Sequence, residues 1–209
     1  MTNPVVENVR RSLGRTGQAL LPPRPVIYPS RIAESADCEI ERFLNEIKLL
    51  SGSGQSVAPT DIKNALTSLV SECNIHRATF WHTPLFQKLG IQSTLLDLGV
   101  DLVSPAANKH EMALCDLGIT EADYLLPETG TLVLRSSAER PRGVSLLPRI
   151  HLAIVRRDML RADMQEVFAE ARDSHYLVFI TGPSRTADIE LTVTLGVHGP
   201  KALHVWALT

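Results

Sequence analysis

Tyr176-Leu-Val-Phe-Ile-Thr-Gly-Pro-Ser-Arg-Thr-Ala-Asp-Ile-Glu190, continuing Leu-Thr-Val-Thr-Leu-Gly196-Val-His-Gly-Pro200, is the stretch on which the fold turns. It reads as strand, glycine turn, helix and glycine exit. Leu177 to Ile180 form a short continuous apolar run, which suits a strand buried on both faces. Thr181-Gly182-Pro183-Ser184 ends it with turn residues. Ser184 or Thr186 is placed to cap a helix whose first turn carries Asp188 and Glu190. Gly196 stands where a chain leaves a helix. A strand entering a helix through such a loop aims backbone amides at one spot, and that spot favours an anion. Asp188 and Glu190 would repel the anion unless they turn away, pair with a cation or take part in the chemistry. His198, in Gly196-Val-His-Gly199, is a poor core filler and reads as functional or partner-facing. The plainer alternative is a well-capped strand–helix unit with no ligand.

Outward from that stretch, the composition is that of a globular protein. The 209 residues are 44% hydrophobic and 21% charged, which leaves room for one large domain with a full core. A net charge of −2 and 5% aromatic residues argue against nucleic acid, an anionic membrane surface or a base-stacking platform. Cys38, Cys73 and Cys115 are odd in number and far apart, without a C-x-x-C. They cannot alone hold a zinc ion or an iron–sulfur cluster, and they point to a reducing compartment. Each sits in an apolar helical pattern and reads as buried filler. No apolar run approaches the ~20 residues of a membrane span. The N-terminus lacks the apolar core of a signal peptide. The expectation is a cytoplasmic protein.

In chain order, Val5, Val6, Val9 and Leu13 have helical spacing, with Arg10, Arg11 and Arg15 elsewhere on the wheel. This helix has to dock, and its own domain is the simplest place. Pro22, Pro23, Pro25 and Pro29 make residues 14–31 an extended arm. Ile40, Phe43, Leu44, Ile47 and Leu50 mark a helix over about 37–51, and Ser51-Gly-Ser-Gly54 reads as a loop. Thr60 caps a helix with Ile62, Leu66, Leu69 and Val70. Ala78–Trp81 is a strand, Thr83-Pro84 opens a short helix, and Leu95–Ser104 holds another pair of elements. Lys109–Leu117 is helical. Thr131–Arg135, Val144–Leu147 and His151–Val155 read as strands, Asp158 caps a helix through Ala171, and Leu203–Leu208 is the last strand. Alternating helix and strand implies an α/β sheet covered by helices.

Several residues could carry chemistry. Glu128-Thr129-Gly130 puts a carboxylate on a turn at a strand start, where it can act as base, nucleophile or acceptor. It can equally cap a helix or pair with Arg135 or Arg142. His151 opens a strand after Pro148, a place usually taken by a satisfied half-buried histidine. His204 alternates with apolar neighbours. The spacing of a H-E-x-x-H metal site is absent, so no metal is expected. Ser184 lacks the surroundings of a hydrolase nucleophile.

Gly118-Ile-Thr-Glu-Ala-Asp-Tyr124, Glu128-Thr-Gly-Thr131, Ser145-Leu-Leu-Pro148 with His151, Thr181–Glu190 and Gly196–Pro200 occur in one order. That series resembles the LUD domain of the lactate-utilisation protein C family (LutC/YkgG), over roughly residues 40–209 and most strongly after residue 118. The resemblance implies a fold similar to the sugar-phosphate isomerase and CoA-transferase group: three layers, with a mostly parallel sheet between helices. Residues 1–36 would then be an N-terminal helix and proline-rich arm, and 37–209 the α/β domain. It further implies a part in oxidising L-lactate to pyruvate beside iron–sulfur proteins. The clusters would belong to those partners and no cofactor to this chain.

The site expected is one pocket at the C-terminal ends of the strands. Glu128 and His198 stand nearest the reacting atom. Thr129, Gly130, Thr131, Ser145, His151, Gly182, Pro183, Ser184, Thr186, Asp188, Glu190, Gly196 and Gly199 surround a small carboxylate or phosphate. The first reading is a non-redox subunit or accessory protein of a lactate-oxidising system. The second is an acyl- or CoA-transferase, or an isomerase, using Glu128, by analogy with transferases that place a glutamate before a glycine. The third is an interaction module that presents glycine loops to iron–sulfur partners. Assembly with further copies of the chain is compatible with each.

Overall fold

The computed structural model describes residues 4–14, 31–187 and 193–209. Its helices are α1 (Pro4–Ser12), α2 (Ala36–Leu49), α3 (Ile62–Cys73), α4 (Pro84–Lys88), α5 (Ile91–Asp97), α6 (Lys109–Ala113), α7 (Gly143–Leu146) and α8 (Met164–Glu170). The strands are β1 (Ser53–Val57), β2 (Arg77–Phe80), β3 (Asp101–Leu102), β4 (Leu117–Glu121), β5 (Tyr124–Leu126), β6 (Thr131–Arg135), β7 (Ile150–Val155), β8 (Leu177–Thr181), β9 (Arg185–Ala187), β10 (Val193–Leu195) and β11 (Ala202–Leu208).

Six strands form a sheet in the order β1-β11-β7-β4-β2-β3, every neighbour parallel. A parallel sheet needs cover on both faces, and its central strands read as unbroken apolar runs. Every residue of β4 and β7 is buried. Against this sheet pack Ile40, Phe43, Leu44 and Ile47 of α2, Ile62, Leu66 and Leu69 of α3, and Ile91 and Leu95 of α5, all in one core. Side-chain caps fix several helix starts. Ser35 Oγ accepts from Cys38 N, Thr83 Oγ1 from Phe86 N, and Asn108 Oδ1 from His110 N and Glu111 N. The expected α/β sheet flanked by helices is what the chain forms. Among the described residues no helix is long and apolar enough to cross a membrane.

The second sheet departs from expectation. β5, β6 and β8 form an antiparallel three-stranded layer. Leu132 and Leu134 of β6 join the main core, while Val133 packs with Tyr124, Leu126 and Val167 in a smaller cluster. The run Leu177–Thr181 is therefore a partly exposed strand of this layer, not one buried on both faces of the main sheet. After the Gly182–Ser184 loop comes β9, paired antiparallel with β10, where the helix was expected. Thr186, Val193 and Thr194 are β-branched, and that preference wins over the capping pattern around Ser184. Asp188 and Glu190 lie outside the described residues. Gly196, at φ +73°, leaves a strand rather than a helix.

Other elements differ from expectation in detail. The expected strand Val144–Leu147 falls on the helical turn α7 and its C-cap, because an apolar run of four does not distinguish helix from strand. Ser53–Val57 is an edge strand, not a loop. Asp158 lies in a 3-10 turn, and α8 starts later, with Asp163 accepting from Gln165 N and Glu166 N. Helix α6 stops at Ala113, short of Leu117. Of the cysteines, Cys115 is buried and Cys73 half-buried, but Cys38 is exposed.

Candidate functional site

Gly118 and His151 determine the candidate site. In register, Thr79, Gly118, His151 and Leu203 are neighbours across β2, β4, β7 and β11. A Cβ on Gly118 would lie 1.9 Å from Val144 O, so only glycine lets α7 sit on the sheet here. That contact brings Ser145 and Leu146 beside His151. The Ser145 hydroxyl donates to Arg142 O at 3.0 Å, which closes the turn.

From this floor rises a cleft of about 330 Å³. One wall is Phe179–Thr181 of β8 with Gly182, Pro183, Ser184 and Arg185. The other is His198, Gly199 and Pro200, with Leu203 at the base. Two backbone bonds join the walls: Ser184 N donates to Pro200 O at 3.0 Å, and Gly196 N to Ser184 O at 2.9 Å. Gly199 permits the approach, since a Cβ there would be 3.0 Å from Ser184 Cβ. Gly182, at φ +83°, turns the chain against Leu50 at the end of α2. The Arg185 guanidinium donates to Leu50 O and to Ser51 Oγ, fixing β9 to that helix end.

His151 is 1% exposed, and burial pushes its pKa down to about 3, so the imidazole is neutral at ordinary pH. Its Nε2 is 2.8 Å from Thr120 Oγ1. Nδ1 is buried and has no hydrogen-bond partner among the described residues. A neutral ring with one nitrogen held by a hydroxyl offers the other as donor or acceptor, according to the tautomer. The lining contains Arg185, His151, His198, Ser145, Thr181 and Ser184, and among the described lining residues no carboxylate.

The residues singled out in the sequence divide into two groups. Ser145, His151, Gly182, Pro183, Ser184, His198 and Gly199 come together in the cleft. Glu128, Thr129, Gly130, Thr131, Thr186 and Gly196 do not line it. Glu128 and Thr129 are exposed on a 3-10 turn, Pro127–Thr129, that packs beside α2. Gly130, at φ +58°, is close to α2, where a Cβ would lie 2.9 Å from Glu46 Cβ. Arg31 has its pKa raised chiefly by its hydrogen bond to Glu39, with the Glu128 charge adding a smaller part.

The two glycine bends nevertheless lie at one end of the antiparallel layer. Thr131 pairs with Thr181, and the hydroxyls of Thr129, Thr131 and Thr181 form a chain with two links of 2.8 Å. The bends meet α2 rather than facing each other across a hollow. The cleft also opens at the N-terminal ends of β7 and β11, not at the C-terminal ends expected. Its wall comes from the added antiparallel layer, which an open sheet alone would not supply. Sequence reading missed Leu146, Phe179, Ile180, Thr181, Arg185, Pro200 and Leu203, and it missed Thr120 as the partner of His151. Arg185 was within reach, next to Ser184; Thr120 required the register. Among the described residues no cluster of three or more His, Cys, Asp or Glu is arranged to hold a metal ion.

Comparison with known proteins places this geometry. A model of the LUD domain matches residues 40–208. Lactate utilization protein C of Halalkalibacterium halodurans is 35% identical over 152 residues, 66% of this chain and 65% of that relative, so the match spans just under two thirds of its length. The protein of that name from Shouchella clausii is 33% identical over 162 residues, 72% of this chain and 71% of its own. The one from Deinococcus radiodurans is 27% identical over 208 residues, 96% of this chain and 92% of its own. Among solved structures, a DUF162 family protein from Deinococcus radiodurans has a TM-score of 0.64 at 22% identity, covering 85% of this chain and 100% of that one, a likeness of fold.

Proposed function

The chain belongs to the LUD-domain family, and from that premise we propose that it is a non-redox subunit or accessory protein of a lactate-utilisation system, with its cleft receiving a small carboxylate or phosphate. The observation that carries the ligand reading is the lining. A chain with 23 acidic and 21 basic residues keeps Arg185, His151, His198, Ser145, Thr181 and Ser184 around one small cleft, with no acidic side chain among the described residues there. Hydrogen-bond donors and a cation without a competing carboxylate suit an anion. Ser184, Arg185 and His198 would receive the charged end. The neutral His151 would form the floor beneath the remainder. Iron–sulfur proteins are the partners this reading calls for.

The test is calorimetric titration with L-lactate, pyruvate and inorganic phosphate. The variants are Ser184→Ala, His198→Ala and Glu128→Gln. Binding of at least one anion should be weakened roughly tenfold by loss of a charge-assisted contact at His198 or Ser184, and unchanged by Glu128→Gln. Folded wild-type protein that gives no heat with any of the three would overturn the cleft reading. Equal losses in Glu128→Gln would move the site to the other bend and revive the transferase alternative.

A further inference from the structure

Helix α1 buries none of its residues, and Val6, Val9 and Leu13 are 45%, 53% and 61% exposed. Their spacing places them on one face, with Arg10 flanking it and Arg11 on the opposite side of the helix. A helix of nine residues does not hold its shape alone in water, so it needs a surface to lie on.

Arg31, the first described residue after Gly14, donates through its guanidinium to Glu39 at 2.6 Å and to Ala162 O at 3.4 Å. Ala162 is two residues before α8. That helix buries Val167 but leaves Met164 and Phe168, one turn apart, 49% and 52% exposed. The Phe168 ring is 5.8 Å from the ring of Phe179 on β8, itself 37% exposed. An exposed apolar strip thus begins two residues from the contact of Arg31 with Ala162. The net charges are opposite: α8 carries Glu166 and Glu170, the first accepting from Ala162 N and the second paired with Arg161, and α1 carries Arg10 and Arg11 against one carboxylate, Glu7, which Arg10 reaches at 3.5 Å. Residues 15–30 connect the two places, and a linker of that length reaches up to ~50 Å at about 3.1 Å per residue.

We propose that α1 docks on α8 of its own chain, laying Val6, Val9 and Leu13 on Met164, Phe168 and Phe179. A short tether holds the helix at millimolar-order effective concentration, which favours its own chain over a second copy.

Disulfide trapping in the full-length chain tests this. With Cys38→Ser as background, Val9→Cys is combined with Phe168→Cys, and separately with Leu96→Cys on α5, which is 55% exposed and packs with α3, α4 and β3. The Val9–Phe168 pair should close within one chain, about tenfold or more faster than the control pair, given the local concentration of a docked helix. Equal rates would overturn the proposal, as would a link formed only between chains, which would place α1 on a second copy. Hydrogen exchange gives an independent readout. Val9→Glu with Leu13→Glu should speed exchange over residues 164–170 while circular dichroism stays native; unchanged exchange there would overturn the docking.

Discussion

At the residue scale, His151 combines structural cost with chemical use. A histidine held neutral in the core costs nothing above its ordinary pKa, because the unfolded chain is neutral there too. Below 6.5 the unfolded state takes a proton that the folded state refuses until about pH 3. Stability should therefore fall as the pH drops through that window, by at most about 1.4 kcal/mol per pH unit for one group. His204, also lowered by burial, adds to the slope in the same direction. Glu39 is held low by Arg31, so its contribution is lost only further down, as the pH falls below the ordinary carboxylate value of 4.5. Urea melts between pH 6.5 and 5 thus isolate the histidines. His151→Asn should flatten the slope relative to wild type; an unchanged slope would mean that His151 is protonated in the fold.

At the element scale, the cleft depends on α7 lying on β4 at Gly118. Gly118→Ala forces a methyl onto Val144 O, and either the helical turn lifts or the strand bends. Overpacking of this kind costs about 3 kcal/mol. Denaturant melts should show that loss, and Ser145, carried on the same turn, should move away from His151 and weaken anion binding. The elements themselves were unevenly legible. The buried strand His151–Val155 and the final strand Leu203–Leu208 declare themselves as apolar runs, and α2 as a regular stripe from Ile40 to Leu50. The strand after Ser184 did not, because Thr-Gly-Pro-Ser announces a turn but leaves open whether a helix or a strand succeeds it. Seven of the site residues picked from sequence gather in the cleft. Glu128 is left out because its bend packs beside α2, a contact between parts of the chain some eighty residues apart that no local pattern encodes.

At the scale of the whole molecule, Arg31 joins distant parts of the chain: α2 through Glu39, and the approach to α8 through Ala162. The Glu39 side chain is 3% exposed. In Arg31→Ala it would keep the amide of Glu34 at 2.8 Å and Arg42 at 3.8 Å, and lose its closest cation. Breaking a buried pair from one side costs about 3 kcal/mol. Thermal melts at pH 7 should show that loss. The acid-linked part of stability below pH 4.5 should shrink as well, since Glu39 would no longer be held so far below its ordinary pKa. Which end of the sheet carries the cleft is also a property of the whole. It arises from the antiparallel layer laid over the parallel one, and neither layer's sequence states it.

The row of threonines from Thr129 through Thr131 to Thr181 has a directional consequence. Each hydroxyl owns a single hydrogen, so the row can point all its O–H bonds one way or all of them the other. Reversing it means turning three rotors in concert. Thr181, at the rim, would then greet a visitor as giver in one state and taker in the other, with the choice made where Thr129 meets solvent.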